Sequence, residues 1–339
     1  MVTGMINKIT FRNFKVLAEA ELPLERFTLL VGPNGSGKST VFQAFKYLGE
    51  RTNSLPEDVW SVQSAPKREA LKIEIHWGGE HEGKRTEQDW RLGQGTDSVT
   101  RLANGRRADA EEHNSLIRML ARLQVYSFDA NAIQRPSMLN PDVTLQPNGG
   151  DLPAVLDRLR DQHPERFEAL DDAIPLWFPD FDRVLFDTPQ QGHRSLLLRT
   201  KEGKHSIKAE HLSQGTLLGL ALLTLAYLPD PPPIIGLEEP DRGLHPRLLR
   251  DVRDALYRLS YPEASGENRS PVQVIATTHS PYFLDLYKDH PEEIVIAQKE
   301  GGKAHFRRLV DLPDFKEILE STSLGEVWYS GILGGVPAN

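Results

Sequence analysis

The sequence predicts an α/β fold with a mixed or parallel sheet at its core, an antiparallel β region and a helical middle lobe. Three observations carry that expectation. The apolar run Arg26-Phe27-Thr28-Leu29-Leu30-Val31 leads into a glycine-rich turn and then into residues of helical spacing. From 211 onward, helix-type and strand-type segments alternate, as they do when helices cross between parallel strands. Between 50 and 110, short alternating segments are separated by Gly78-Gly79 and Asn104-Gly105, and Asn-Gly is a strong hairpin signal.

The elements follow in order. Residues 6–31 read as strands: Ile6, Lys8 and Thr10 alternate with Asn7, Ile9 and Phe11, and the unbroken run 26–31 suits a strand buried on both faces. Val41, Phe42, Phe45 and Leu48 give 38–48 a helical stripe. Residues 71–77 alternate as a strand. Leu116, Met119, Leu120 and Leu123 place a helix over 111–123. Residues 151–173 read as one or two helices broken near Pro164, and 181–210 as short strands with turns. The alternation then runs helix 213–228, strand 234–237, helix 246–260, strand 272–276, helix 282–288 and strand 294–298.

Composition narrows the function classes. The 339 residues include no cysteine, which excludes disulfides, cysteine-ligated zinc and a thiol nucleophile. With 48 acids against 40 Lys plus Arg, the net charge is −8, which speaks against a surface coated for nucleic acid but leaves room for a local basic patch. No signal-peptide pattern opens the chain, and its longest apolar stretch, 217–228, falls short of the roughly 20 residues a bilayer span needs. A cytoplasmic protein without a membrane segment is expected. The 11 histidines are scattered without metal-ligand spacing, so no structural metal is expected.

Gly32-Pro33-Asn34-Gly35-Ser36-Gly37-Lys38-Ser39 matches the phosphate-loop pattern and lies between a buried strand and a helix start, where the chemistry needs it. Glycines let successive N–H groups turn toward phosphate oxygens, and the helix N-terminus adds partial positive charge. Lys38 is expected to bridge the β- and γ-phosphates, Ser39 to give its hydroxyl to Mg²⁺, and Thr40 to reach the α-phosphate. Pro233-Ile234-Ile235-Gly236-Leu237-Glu238-Glu239-Pro240 is an apolar strand ending in two acids. Strand ends of such sheets face the ligand crevice. Glu238 is expected to serve the Mg²⁺ shell through water, and Glu239 to polarise the water that attacks the γ-phosphate or to act as its base.

Leu212-Ser213-Gln214-Gly215-Thr216 precedes Glu239, Asp241 lies just beyond it, and Thr277-Thr278-His279-Ser280-Pro281 follows a further strand. In this order the motifs resemble the ABC-type P-loop ATPase head, and more closely the branch that includes SMC proteins, RecF and the OLD-family ATPases. Ile9-Thr10-Phe11-Arg12-Asn13-Phe14-Lys15 resembles the opening of that branch. Glu238-Glu239-Pro240 with Gly243-Leu244-His245-Pro246, and the Thr-Thr-His-Ser-Pro run, resemble two of its later elements. Leu324-Gly325-Glu326-Val327-Trp328 and Gly334-Gly335 resemble the C-terminal part of compact stand-alone members.

The resemblance implies that Ser213 and Gly215 act in trans on nucleotide held by a second subunit, that His279 senses the γ-phosphate, and that Asp241 lies at the subunit interface. ATP and Mg²⁺ are the implied cofactors, and an ATP-dependent homodimer the implied assembly. The signature departs from the transporter form at Gln214 and Thr216, and the first acid is Glu238 where Asp is usual. Gln124 and Gln134 are candidates for the Q-loop, each better read as a surface residue. The expected organisation is one composite head over 1–339, with a nucleotide-binding lobe (1–125 and 211–339) and a middle lobe (126–210). Neither a long coiled coil nor a fused nuclease domain finds room in this length, so the expectation is either a separate effector protein as partner or nucleotide-driven dimerisation as the output itself, with DNA as a further possible partner. His245 is read as a turn residue, Trp177, Phe178 and Phe181 as core, and Arg101, Arg106 and Arg107 as a solvated hairpin.

Overall fold

The computed structural model describes residues 4–50, 55–61, 70–91, 96–203, 205–313 and 323–331. Contacts divide the chain into two units: 1–125, 232–237 and 259–339 form the first, and 126–231 with 238–258 the second. Residues 211–231 and 238–258 therefore group with the middle of the chain rather than with its ends.

In chain order the elements to residue 126 are β1 (Met5–Phe14), β2 (Leu17–Pro23), β3 (Phe27–Val31), α1 (Lys38–Glu50), β4 (Leu71–Gly78), β5 (Arg85–Trp90), β6 (Thr96–Arg101), α2 (Ala110–Ala121) and β7 (Gln124–Tyr126). Then come α3 (Ala130–Ile133), β8 (Ser137–Met138), α4 (Leu152–Gln162), α5 (Pro164–Trp177), β9 (Phe181–Asp187), β10 (His193–Thr200), β11 (Ser206–Lys208) and α6 (Gln214–Tyr227). The rest are β12 (Ile234–Leu237), α7 (Leu249–Ser260), β13 (Gln273–Thr278), α8 (Pro281–Asp285), β14 (Ile294–Glu300), β15 (Lys303–Arg308) and α9 (Leu324–Tyr329).

The first unit is built on two sheets. One runs β15-β14-β3-β13-β12-β7, with β14, β3, β13 and β12 parallel. Every residue of β3, β12 and β13 is buried, which explains the continuous runs of β3 and β12 and the apolar centre of β13. The other sheet, β2-β1-β4-β5-β6, is antiparallel throughout. Ile9, Phe11, Ile73 and Ile75 alternate onto its buried face and join α1's Val41, Phe42 and Phe45 in one core. Gln273 of β13 ties this sheet in: its side chain accepts from the Ile6 N–H (2.9 Å) and donates to the Ile6 carbonyl (2.7 Å) and the Glu25 carbonyl (2.9 Å).

One expected strand runs longer, and one strand was not expected. β13 continues through Thr277 and Thr278, both buried, where the apolar pattern stopped at 276. Strand β15, charged at three of six positions, pairs antiparallel with β14 at the sheet edge and escaped the pattern reading. At the hairpin beyond β6, Gly105 takes φ 79° and the Arg106 N–H donates to Asn104 Oδ1 at 3.0 Å.

In the second unit, α4 packs on the sheet β11-β10-β8, α5 packs on β9, which pairs with β10, and α6 packs on α5 and α3. The break expected near Pro164 separates α4 from α5, and α5 runs on to Trp177. Trp177 and Phe178 are buried core residues, and Phe178 lies where a Cβ on Gly219 of α6 would meet it at 3.0 Å. His245 caps the 3₁₀ turn 246–248 that leads into α7, its Nδ1 accepting the Arg247 N–H at 3.2 Å. Gly334 and Gly335 lie outside the described residues.

Candidate functional site

The first unit holds the phosphate loop where β3 ends. Two glycines there have no room for a side chain: a Cβ on Gly32 would stand 2.5 Å from the Ala297 carbonyl oxygen, and one on Gly37 would stand 2.8 Å from Ala304 Cβ. Gly35 and Gly37 take φ values of 76° and 107°, in the region that favours glycine. Ser36 is buried, and its N–H donates to the Pro33 carbonyl at 3.2 Å, closing the turn. Lys38, only 6% exposed, donates from Nζ to the carbonyl oxygens of Gly32 (2.6 Å) and Pro33 (3.0 Å).

An ammonium group is thus held at the centre of a curled loop, over the first turn of α1. That turn carries no acid to cancel the helix's positive end. Ser39 and Asn34 are exposed and Thr40 half-buried. Such a loop fits a phosphate-bearing ligand: the cradle excludes side chains, the cation is in place, and the Ser39 hydroxyl is accessible for a metal shell. Among the described residues, no group of three or more His, Asp or Glu stands ready to hold a metal ion without a ligand's help.

The neighbouring strand β13 ends beside the loop. Its Thr278 pairs in register with Val31, so His279 leaves the sheet at the edge where the phosphate loop begins. Thr278 Oγ1 accepts the Ser280 N–H (2.9 Å), and Ser280 caps α8, accepting from Phe283 (3.2 Å). These bonds fix the chain on both sides of His279. β12, next in the sheet, ends at Leu237 opposite Ala276.

Glu238 and Glu239 follow Leu237 and belong to the second unit. The Glu238 N–H donates to the carbonyl of buried Tyr126 at 2.9 Å. Burial also raises the Tyr126 phenol well above its ordinary pKa, so it stays neutral. Glu239 has φ 45°, one of three non-glycine residues with positive φ among the described residues. Backbone held there by its surroundings marks a position whose geometry matters more than its local energy. The turn continues with the Arg242 N–H on the Glu239 carbonyl (2.9 Å) and the Leu244 N–H on the Asp241 carbonyl (3.3 Å).

The same unit sets the 212–216 motif against that turn. Ser213 is the N-cap of α6, its Oγ accepting the Thr216 N–H at 3.1 Å, and it remains exposed. Gly215 packs so closely that a Cβ would lie 2.8 Å from the Gly243 carbonyl oxygen. The first turn of α6 is also free of acids. The Q-loop candidates are half-buried: Gln124 lies on β7, and Gln134 caps α3. Also in the first unit, α9 docks on α8, with the Gly325 N–H donating to Asp285 Oδ1 at 2.7 Å. No described helix is long and apolar enough to cross a membrane.

Comparison with known proteins adds three findings. A family model described as "AAA domain, putative AbiEii toxin, Type IV TA system" matches residues 85–285, more than half of the chain, and an "AAA ATPase domain" model matches 5–133. The OLD nuclease of Thermus scotoductus is 32% identical over 79 residues, a stretch spanning 22% of this chain and 14% of the nuclease. Among solved structures, the Smc head domain of Pyrococcus furiosus, with an extended coiled coil and bound to the C-terminal domain of ScpA, matches with TM-score 0.60 at 16% identity. That match covers 94% of this chain and 99% of the other. The SMC head domain from Thermotoga maritima matches with TM-score 0.51 at 16% identity, covering 89% and 98%. The architecture is that of an SMC-type ABC ATPase head.

Proposed function

The chain belongs to the AAA-domain ATPase family, and from that premise we propose that it binds ATP with Mg²⁺, hydrolyses it, and uses it to join two copies of itself. The observation that carries the reading is the phosphate loop: buried Lys38 held on the Gly32 and Pro33 carbonyls inside a loop that admits no side chain at 32 or 37. Binding would exchange those carbonyl contacts of Lys38 for phosphate oxygens. Loop N–H groups and the α1 N-terminus would hold the remaining phosphate charge. Mg²⁺, when bound, supplies the positive charge that offsets the β- and γ-phosphate oxygens. Ser39 would ligate it, and Glu238 would meet it through water.

Glu239 would orient the attacking water and accept its proton. Its backbone conformation supports this role, since strain of that kind gathers at catalytic positions. His279 would contact the γ-phosphate. Ser213 and Gly215, at the acid-free start of α6, would contact phosphate held by the second copy, and Asp241 would lie at the interface between copies. In this reading 1–339 acts as one composite head in the cytoplasm. The output, in DNA repair or phage defence, comes through a partner effector.

One observation favours a second reading, in which the head regulates a separate nuclease or toxin and never touches DNA: the net charge of −8. Salt-dependent DNA binding by the purified protein separates the two, because a protein that neutralises phosphates loses affinity steeply with salt. The ATPase reading itself is tested by turnover of wild type against Glu239→Gln in Mg²⁺. A fall of at least a hundredfold in turnover with ATP binding retained supports it, and wild-type turnover in the variant overturns it.

A further inference from the structure

The turn that carries Glu239 also carries an arginine to which the proposed machinery gives no task. Arg242 is exposed. Among the described residues its guanidinium makes no ion pair and one polar contact, Nη2 standing 3.4 Å from the Phe128 carbonyl oxygen, long for a hydrogen bond. Other arginines of the second unit are held by carboxylates: Arg160 and Arg194 by Asp157, Arg199 by Asp182, Arg253 by Asp254. Arg242 instead keeps most of its five donors for water.

Its backbone is fixed even though its head group is not. The Arg242 N–H donates to the Glu239 carbonyl at 2.9 Å, and the Leu244 N–H to the Asp241 carbonyl at 3.3 Å. Gly243, next in the chain, takes φ 72°, and its carbonyl oxygen lies 2.8 Å from where a Cβ on Gly215 would stand. Leu218, further along α6, lies 3.4 Å from a Cβ built on Gly243. Consecutive Cα atoms are about 3.8 Å apart, so Arg242 leaves the backbone beside the first turn of α6. That turn carries no acid, and its N-cap, Ser213, is exposed.

The start of α6 is the surface proposed above to meet phosphate held by a second copy. It offers N–H groups and a hydroxyl, which suit charge already present. Hydrolysis spreads negative charge over the three equatorial oxygens of the γ-phosphoryl group, and a planar, permanently charged guanidinium matches two such oxygens at once. We propose that Arg242 reaches the γ-phosphate bound by the second copy and offsets the charge that develops there during hydrolysis. This role presupposes that ATP joins two copies. In the step itself the water oxygen bonds to the γ-phosphorus, and the bond from that phosphorus to the ADP oxygen breaks. The water's proton goes to Glu239 of the copy that holds the nucleotide. Arg242 gains and loses no proton.

Turnover is measured first for wild type and Arg242→Ala. The variant should lose on the order of a hundredfold or more in kcat with KM within about threefold, because the contact strengthens in the transition state. Its ATP binding should equal that of wild type, which shows that it folds. Arg242→Ala and Glu239→Gln are then mixed as monomers before ATP is added. Each is nearly inactive alone, but a mixed dimer pairs an intact Glu239 on one copy with an intact Arg242 on the other. Turnover should return to about a quarter of wild type, since half of randomly paired dimers are mixed and each has one complete site of two.

Light scattering supplies a readout free of turnover. With ADP and aluminium fluoride, a transition-state mimic, wild type should dimerise and Arg242→Ala should stay monomeric. With ATP, the double variant Arg242→Ala/Glu239→Gln should still dimerise. The role of Arg242 alone is overturned if wild type hydrolyses ATP and Arg242→Ala does so equally, or if the mixture stays inactive. It is equally overturned if aluminium fluoride joins two copies of Arg242→Ala, or if the double variant stays monomeric with ATP, which would make Arg242 an ordinary interface contact. A wild type that does not hydrolyse ATP would overturn the ATPase reading, and this role with it.

Discussion

Glu239 offers a test in which the sign of an effect, not only its size, is fixed by the structure. Its φ of 45° lies in the left-handed region. For a residue with a Cβ that conformation costs roughly 1–2 kcal/mol. Glycine adopts it freely, but at an ordinary position replacing alanine by glycine lowers stability by about 0.5–1 kcal/mol through the entropy of the unfolded chain. Glu239→Ala and Glu239→Gly both remove the carboxylate, so its contacts cancel between them. The difference leaves the glycine variant more stable by about 0.5–1 kcal/mol. Urea denaturation of the two variants, compared at equal slope, measures this. Both should also lose ATP turnover, so that one substitution relaxes the backbone while removing the chemistry. An alanine variant as stable as the glycine variant, or more so, would refute the claim that Glu239 is held in a strained turn.

Two further outcomes follow from close contacts and exposure. Gly37→Ala combines a φ of 107° with a Cβ 2.8 Å from Ala304 Cβ, and should lower stability by about 2 kcal/mol or more while abolishing ATP binding; equilibrium denaturation and a nucleotide-binding assay check both. Ser213→Arg alters an exposed cap and should leave ATP binding by the monomer intact while removing ATP-dependent dimerisation, so unchanged dimerisation by light scattering would sink the proposed role of 213–215.

The parts of this molecule that were legible in the sequence are local ones. The run 27–31, the turn 32–37 and helix 38–48 are neighbours in the chain, and glycine's conformational freedom is a residue property, so the phosphate loop reads directly. The buried strand 234–237 reads equally well, since burial on both faces leaves an unbroken apolar run. Strand β15 did not, because an edge strand faces solvent and keeps its charges. Thr277 and Thr278 looked like the start of a loop, although β-branched threonine is at home in a buried strand.

Long-range pairing was the other loss. No local pattern says that β1 pairs with β4, or that β3 lies between β13 and β14. The strain at Glu239 left no trace either, since glutamate is not a residue that announces a left-handed turn.

In the proposed cycle ATP joins two copies of this chain and hydrolysis parts them. Light scattering of Glu239→Gln with ATP and Mg²⁺ tests it most directly, since that variant should keep ATP while turning it over very slowly. The mass should be twice that of the monomer with ATP and that of the monomer without it. A variant that binds ATP yet stays at monomer mass would contradict it.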